Sequence, residues 1–253
     1  MKRIRIIGLA LVAVFAFSAV VAAAAQAGEY GRCAKVAKIE KKYHGKYEDK
    51  NCTEANPTIE GKYEWAPGPG PEPGYTSTTK VAILKSAAGN IVCKKSTDTG
   101  EITGVKSDVD TVTFTSCVLE ATKGACTSAG EVAGTIKTNL LDTTLIDHGE
   151  KGLSGLEPAE GEAWTEYSVS SGYQAEFTCE PGILFRISGS LSGVTSPLNE
   201  MVKKLTTVFS ATGGEQDLIT EFSLDGGAEW TAVPSEEITE GSATFEEKSE
   251  IKA

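Results

Sequence analysis

The sequence predicts an all-β fold, an antiparallel sandwich or barrel of about ten strands with a small disulfide-closed segment in front. Three observations carry this. Short apolar-rich runs recur from residue 78 to the end of the 253-residue chain. Glycine, proline and aspartate punctuate them at turn spacing. Threonine and valine are frequent within the runs, which suits half-buried pleated surfaces.

The chain opens with MKRIR and an apolar run from Ile6 to Ala25, ending in Ala25-Gln26-Ala27. A charged start, an apolar stretch and a small-residue end form the pattern of a secretory signal. Residues 1–27 are therefore expected to be removed between Ala27 and Gly28. The run is also long enough to span a bilayer, but its small-residue end favours cleavage over a retained anchor. The last residues, KSEIKA, are polar, so no integral membrane anchor is expected after cleavage. The expected location is secreted, extracellular or associated with the cell wall.

Residues 28–64 form a basic segment bracketed by Cys33 and Cys52. All six cysteines, Cys33, Cys52, Cys93, Cys117, Cys126 and Cys179, follow the signal. An even number in an exported chain argues for disulfides rather than metal or redox work. No Cys-x-x-Cys pair occurs, and His44 and His148 are the only imidazoles, so no metal site and no cofactor are expected. Sequence alone leaves the connectivity open. Turn residues between sequence neighbours favour Cys33–Cys52 and Cys117–Cys126, with Cys93–Cys179 as the remaining pair.

Residues 65–75 carry Pro67, Pro69, Pro71 and Pro73 at alternate positions. Proline fixes φ and removes backbone donors, so this stretch reads as an extended linker or a rigid surface strap. Residues 76–253 read as one β domain. KVAILK and NIVCKK form a hairpin about SAAG. GEITGVK and DTVTFTSC follow, the second with Val112, Phe114 and Ser116 on one face and threonines on the other, the half-buried strand period. EVAGTIKT continues the series. Glu180-Pro181-Gly182 joins AEFTC to ILFRISGS, and Asp225-Gly226-Gly227 joins LITEFSL to AEWTAV, both turns with a conformational reason. One short helix is expected about SPLNEMVKKL, with Ser196 as its cap and Pro197 at its first position. DHGEKGLSGLEPAEGE is a long polar, glycine-rich loop.

The familiar catalytic patterns are missing. ISGSLSGV lacks the Gly-x-Ser-x-Gly elbow of serine hydrolases, and a Ser-His-Asp triad would need His44 or His148, both in polar segments. No phosphate-binding glycine loop occurs. A glycosidase needs two carboxylates at a set separation, and the 35 acidic residues neither exclude such a pair nor select one. Trp65, Trp164 and Trp230 are scattered, which suits core or rim positions better than a sugar platform. Asp98 and Glu101, then Asp108 and Asp110, gather oxygens in what read as turns. Neither group follows the EF-hand loop, and solubility is the simpler account of them.

Charge is polarised along a chain of formal net charge −11. Arg32 to Lys50 holds seven basic residues against three acidic ones, whereas the chain from Glu215 onward holds eleven acidic residues against two lysines. Nucleic-acid binding needs a basic domain and is not expected. Lys35, Lys38, Lys41 and Lys42 are candidate contacts for an anionic cell-wall polymer. An internal contact with the acidic C-terminal strands explains them equally well.

NIVCKKSTDTGEITG, TVTFTSC, ACTSAGEVAGTIKTNLL and FTCEPG with SGSLSGVTSPLNEM resemble a group of uncharacterised exported actinobacterial proteins. The front piece, YGRC through KYHGKYEDKNCT and GKYEW, resembles a segment recurring in that group. The resemblance spans most of the chain after the signal. It implies a secreted, disulfide-containing β-protein of no established function and brings no catalytic residues with it. The expected role is that of a non-catalytic binding or structural module at the surface or envelope. The alternative is a secreted glycosidase-like hydrolase using a carboxylate pair.

Overall fold

The computed structural model describes residues 28–146, 163–169, 172–210 and 216–252, with only the backbone of Ala163 and Trp164. The expected signal, residues 1–27, and the polar loop with His148, residues 147–162, lie outside the described residues. All regular structure among the described residues is β, in seventeen strands numbered along the chain.

Eight antiparallel strands close a first barrel: β3 (Gly74–Ser86), β5 (Lys95–Ile102), β6 (Ser107–Thr115), β10 (Leu141–Ile146), β11 (Ala163–Ser168), β14 (Leu191–Ser196), β15 (Val202–Phe209) and β17 (Thr231–Lys252), which pairs back onto β3. Closure leaves no free edge in this ring. A second circuit uses the far ends of β3 and β17 with β4 (Ile91–Cys93), β7 (Val118–Leu119), β8 (Cys126–Thr127), β12 (Ala175–Cys179), β13 (Ile183–Ser188) and β16 (Leu218–Ser223). A bridge between Val118 and Ala125 links β7 to β8. β9 (Thr135–Lys137) pairs with β6 beside it.

The long β3–β17 ladder belongs to both rings, and a bulge divides it. Thr79 pairs with Gly241 and Ala82 with Thr239, so Lys80 and Val81 together oppose Glu240. An extra residue on one strand flips the side-chain alternation beyond it. Tyr75, Ser77 and Thr79 are buried before the bulge, Ala82 is buried after it, and Val81 is 48 % exposed. The Thr239 hydroxyl donates to the Val81 carbonyl at 3.0 Å, which satisfies the acceptor that the bulge removes from the ladder.

The cores follow the rings. Cys93, Cys117, Leu119, Cys126, Phe177, Cys179 and Phe185 centre the second, with Phe177 and Phe185 stacked at 5.5 Å. Tyr30, Ile102, Leu145, Leu205, Phe245 and Ile251 close the outer end of the first.

The disulfides correct two expected pairs. Cys33 joins Cys52, but Cys93 joins Cys117 and Cys126 joins Cys179. Cys126 and Cys179 are register partners of β8 and β12. Cys93 and Cys117 follow directly on the Val92–Val118 pair of β4 and β7. Cys117 and Cys126 are indeed close, since the Cys126 N–H donates to the Cys117 carbonyl at 3.0 Å. Each thiol nevertheless bonds a strand on its other side, so the partner comes from a distant segment rather than the nearest hairpin.

Other turns follow the sequence. Gly89 between β3 and β4 has φ +120°, and the Gly182 N–H closes the turn after β12 on the Cys179 carbonyl at 2.8 Å. Asp225 accepts from the Ser223 hydroxyl and from the N–H groups of Ala228 and Glu229. The helix about Pro197 does not form. Residues 197–200 make a turn in which Asn199 has φ +55° and gives its N–H to the Ile251 carbonyl at 2.8 Å, and β15 follows at once. A local capping signal yields here to a long-range backbone bond. The count of about ten strands also falls short, because β4, β7, β8 and β9 are two or three residues long.

The front segment is held by both ends of the chain. β1 (Glu29–Lys35) pairs with β2 (Tyr63–Pro67) and, through Glu29–Gly31, with Glu250–Lys252 of β17. The proline stretch then straps across to β3, with the Gly68 N–H on the Tyr30 carbonyl and the Arg32 guanidinium on the Gly68 and Pro69 carbonyls. Within the segment, Asp49 accepts the N–H groups of Asn51, Thr53 and Glu54. Those bonds, Glu54 first, hold its carboxyl down at about 2.

Peptide mapping without reduction is expected to recover Cys93 linked to Cys117 and Cys126 linked to Cys179, with no free thiol. A Cys117–Cys126 peptide would contradict the register. Replacing Cys126 and Cys179 together by alanine should cost about 4 kcal/mol in the chain-entropy model, read as a fall in Tm.

A polar chamber inside the first barrel

Inward positions along the first barrel change from apolar to polar and back. On β15 they read Leu205, Thr207, Phe209; on β3, Tyr75, Ser77, Thr79, then Ala82 beyond the bulge. The middle layer encloses a chamber of about 90 Å3. A neighbouring apolar cavity of about 60 Å3 lies in the second ring, and the two share Phe114, Thr138, Gln174 and Glu237.

Hydroxyls line much of the chamber. Thr165, Thr195 and Thr207 form a chain across β11, β14 and β15 with oxygen separations of 2.6 and 2.8 Å. On the opposite strands the Thr79 hydroxyl donates to Ser96, and Ser96 donates to Asp98 at 3.1 Å.

Four carboxyls sit on this inward face. Asp98 and Glu237 line the chamber from β5 and β17, and Asp108 lines it from β6. Asp110 follows Asp108 on the same face of β6 and is 1 % exposed. Asp108 is well satisfied: the Tyr30 hydroxyl donates to Oδ2 at 2.8 Å and the Tyr75 hydroxyl to Oδ1 at 2.6 Å. Oδ1 of Asp110 has no hydrogen-bond partner. The Glu237 backbone bonds the Gln216 side chain and pairs with Leu84 in the ladder, and its carboxyl has no hydrogen bond to another described residue. No basic side chain among the described residues lines the chamber.

Burial without a counter-charge disfavours the ionised form. Desolvation, with repulsion from Asp98 and Asp108, pushes Asp110 up to about 7. Desolvation and the Asp98 charge push Glu237 up to about 7 as well. Burial also raises Asp98 and Asp108, against the hydroxyl bonds that each accepts. The phenols of Tyr30, Tyr75 and Tyr167 are raised by burial and by the same carboxylates.

Two glycines make room. Gly100 pairs across the ladder with Tyr75, and a Cβ there would stand 2.5 Å from the Tyr75 hydroxyl. At Gly193 a Cβ would stand 2.6 Å from the Phe209 ring. Alanine at position 100 would therefore displace the phenol that holds Asp108.

Most residues singled out by sequence lie elsewhere. Lys35, Lys38, Lys41, Lys42 and His44 are exposed in the front segment. Lys42 pairs with Glu60 at 3.6 Å, and Lys38 lies 5.0 Å above the Tyr43 ring. These contacts are internal to the segment and not with β17. Trp65 packs under Lys252, and Trp230 stacks on Arg186 at 4.0 Å, rim roles for both. The acidic turns are corrected: Asp98, Asp108 and Asp110 lie within strands and face inward, while Glu101 faces solvent. Among the described residues no three acidic, histidine or cysteine side chains are arranged to hold a metal ion. Tyr30, Tyr75 and Glu237 were not singled out by sequence. The available signal was alternation of polar residues on β3, β5 and β6, which reads equally well as a solvent face. Comparison of the chain with protein-family models, curated proteins and solved structures finds no match.

Asp110 and Glu237 take up protons at higher pH in the folded chain than in the unfolded one. Their stabilising contribution is therefore complete below about pH 4 and is lost as pH rises through about 7. Tm is expected to fall between about pH 5 and pH 8. Asp110→Asn should flatten that fall and melt higher than the parent at pH 8. A parent Tm that rises over this range would contradict the assignment.

Proposed function

We propose that the chain is an exported, non-catalytic binding protein that takes a small solute inside its first barrel. The observation that carries this reading is the chamber itself, a polar space in a closed barrel lined by the Asp98, Asp108 and Glu237 carboxyls, with an orphaned oxygen on Asp110 beside it. Buried polar groups are ordinarily satisfied, and a bound solute supplies a partner for the Glu237 carboxyl, which has none among the described residues. The fully paired cysteines support export, since such pairs persist in oxidising compartments.

The hydrolase alternative finds less support. Asp98 and Glu237 do share the chamber, but glycosidic substrates need pockets of several hundred Å3, against about 90 Å3 here. The front lysines offer an attachment to the envelope. Lys35, Lys38 and Lys41 are exposed and form no ion pair with the described acidic residues, unlike Lys42 and Lys46.

Two experiments test these readings separately. Small neutral, cationic and anionic solutes titrated into the protein should shift the backbone amide NMR signals of Thr207, Thr239 and Gly241 for at least one class. Gly241→Ala, whose methyl would sit 3.3 Å from the Ser77 hydroxyl, should weaken that response. Silence from all three classes would refute the chamber reading. In a pull-down on isolated cell wall, alanine at Lys35, Lys38, Lys41 and Lys42 should reduce salt-sensitive binding. Unchanged binding would refute the attachment.

A further inference from the structure

The chamber carries acidic side chains and no basic one among the described residues, and its Tyr167 phenol and threonine hydroxyls can donate as well as accept. The Asp98 and Glu237 carboxyls reach into it from opposite sides of the β3 ladder, and the Thr165–Thr195–Thr207 chain adds hydroxyl oxygens. The phenolic donors of Tyr30 and Tyr75 are already spent on Asp108. An anion entering here would meet carboxylates and no basic side chain among the described residues. A hard metal cation wants six or more oxygens, and the described residues offer no such cluster. An organic cation needs less: a few acceptors, an uncompensated negative charge and an aromatic wall. The Tyr167 and Phe209 rings, packed edge to face at 5.4 Å, supply that wall.

A second observation points the same way. Asp110 is 1 % exposed, lies on the inward face between Asp108 and Val112, which both line the chamber, and keeps an oxygen with no hydrogen-bond partner. Asp110 thus adds an acidic group beside the chamber, bonded by the backbone N–H groups of Thr111 and Thr99 and facing no basic side chain among the chamber-lining residues.

We propose that the chamber binds a small primary ammonium ion, its nitrogen between Asp98 and Glu237 and its alkyl tail toward the apolar cavity that shares Glu237. This rests on the reading of the chamber as a solute site and names the class of solute. Size sets the limit. An apolar cavity of about 150 Å3 takes benzene, and on that scale the polar chamber takes about four non-hydrogen atoms. The adjoining cavity, lined by Ala82, Leu84, Ile91 and Phe177, extends the space for a methyl or ethyl end.

Binding is coupled to protons. The carboxyls that face the nitrogen are Asp98 on β5, Asp108 and Asp110 on β6 and Glu237 on β17, with the phenols of Tyr30, Tyr75 and Tyr167 around them. A cation restores the ionised carboxylate, so binding releases protons below about pH 7 and tightens as pH rises toward 8.

Propylammonium, n-propanol and propionate, three solutes of nearly one shape, provide the test on the full mature chain by calorimetry and amide NMR. Propylammonium is expected to bind at the chamber at least about tenfold more tightly than n-propanol, to release protons at pH 6, and to be unaffected by propionate. Glu237→Gln should weaken propylammonium by about tenfold or more and reduce the pH dependence. That variant removes an uncompensated buried charge, so its Tm at pH 8 should not fall, which separates lost binding from lost folding. Equal binding of n-propanol and propylammonium at the chamber would overturn the ammonium assignment and leave the solute site standing. Silence from all three solutes would overturn both.

Discussion

The first barrel closes around four carboxyl groups with no basic side chain among the described residues opposite them, and this electrostatic constraint governs the molecule. Ionised, these groups are poorly solvated and repel one another; protonated, they are tolerated as hydrogen-bonding walls. Asp108 is handled by two tyrosine donors, one of them from the front strand. Asp110 and Glu237 are not handled in this way, and both are driven toward neutrality. Everything polar in the chamber, from the threonine chain to the Ser96–Asp98 contact, arranges oxygens around that imbalance.

The backbone makes the imbalance possible. A single bulge at Lys80 and Val81 lets one strand pair serve two rings while changing which side chains of β3 face inward. On the chamber side the inward residues are Tyr75, Ser77 and Thr79; past the bulge they are Ala82 and Leu84. The second ring can therefore be largely apolar and stapled by two cross-strand disulfides, with the first polar at its centre. Tyr30 links the front segment to the same site, because the hydroxyl that steadies Asp108 comes from the strand that pairs with the end of β17. The basic front segment is thereby part of the barrel's closure as well as a surface of its own.

Much of this was legible beforehand. Alternation on DTVTFTSC, the turn at Glu180-Pro181-Gly182 and the aspartate turn at Asp225 each carry a local physical reason, and each forms. The exception is Ser116, expected on the face of Val112 and Phe114, which is exposed beyond the strand with φ +55°. What could not be read depends on partners far along the chain. Cys117 and Cys126 are neighbours, yet they bond Cys93 and Cys179, because strand order and not sequence distance decides which thiol lies opposite. The helix expected after Ser196 had its local signals but lost to the bond from Asn199 to Ile251. The chamber is not legible in the sequence for a related reason. A strand with Ser, Asp or Thr at every second position shows the same period whether that face meets water or the inside of a barrel. Closure alone decides between them.

The central claim, that carboxyls are enclosed in the barrel without a counter-charge among the described residues, is tested most directly by following side-chain carboxyl 13C shifts of the folded protein against pH. The account predicts midpoints of about 7 for Asp110 and Glu237, far above solvent-exposed carboxylates in the same spectrum. Midpoints for both in the ordinary carboxylate range near 4 would contradict it.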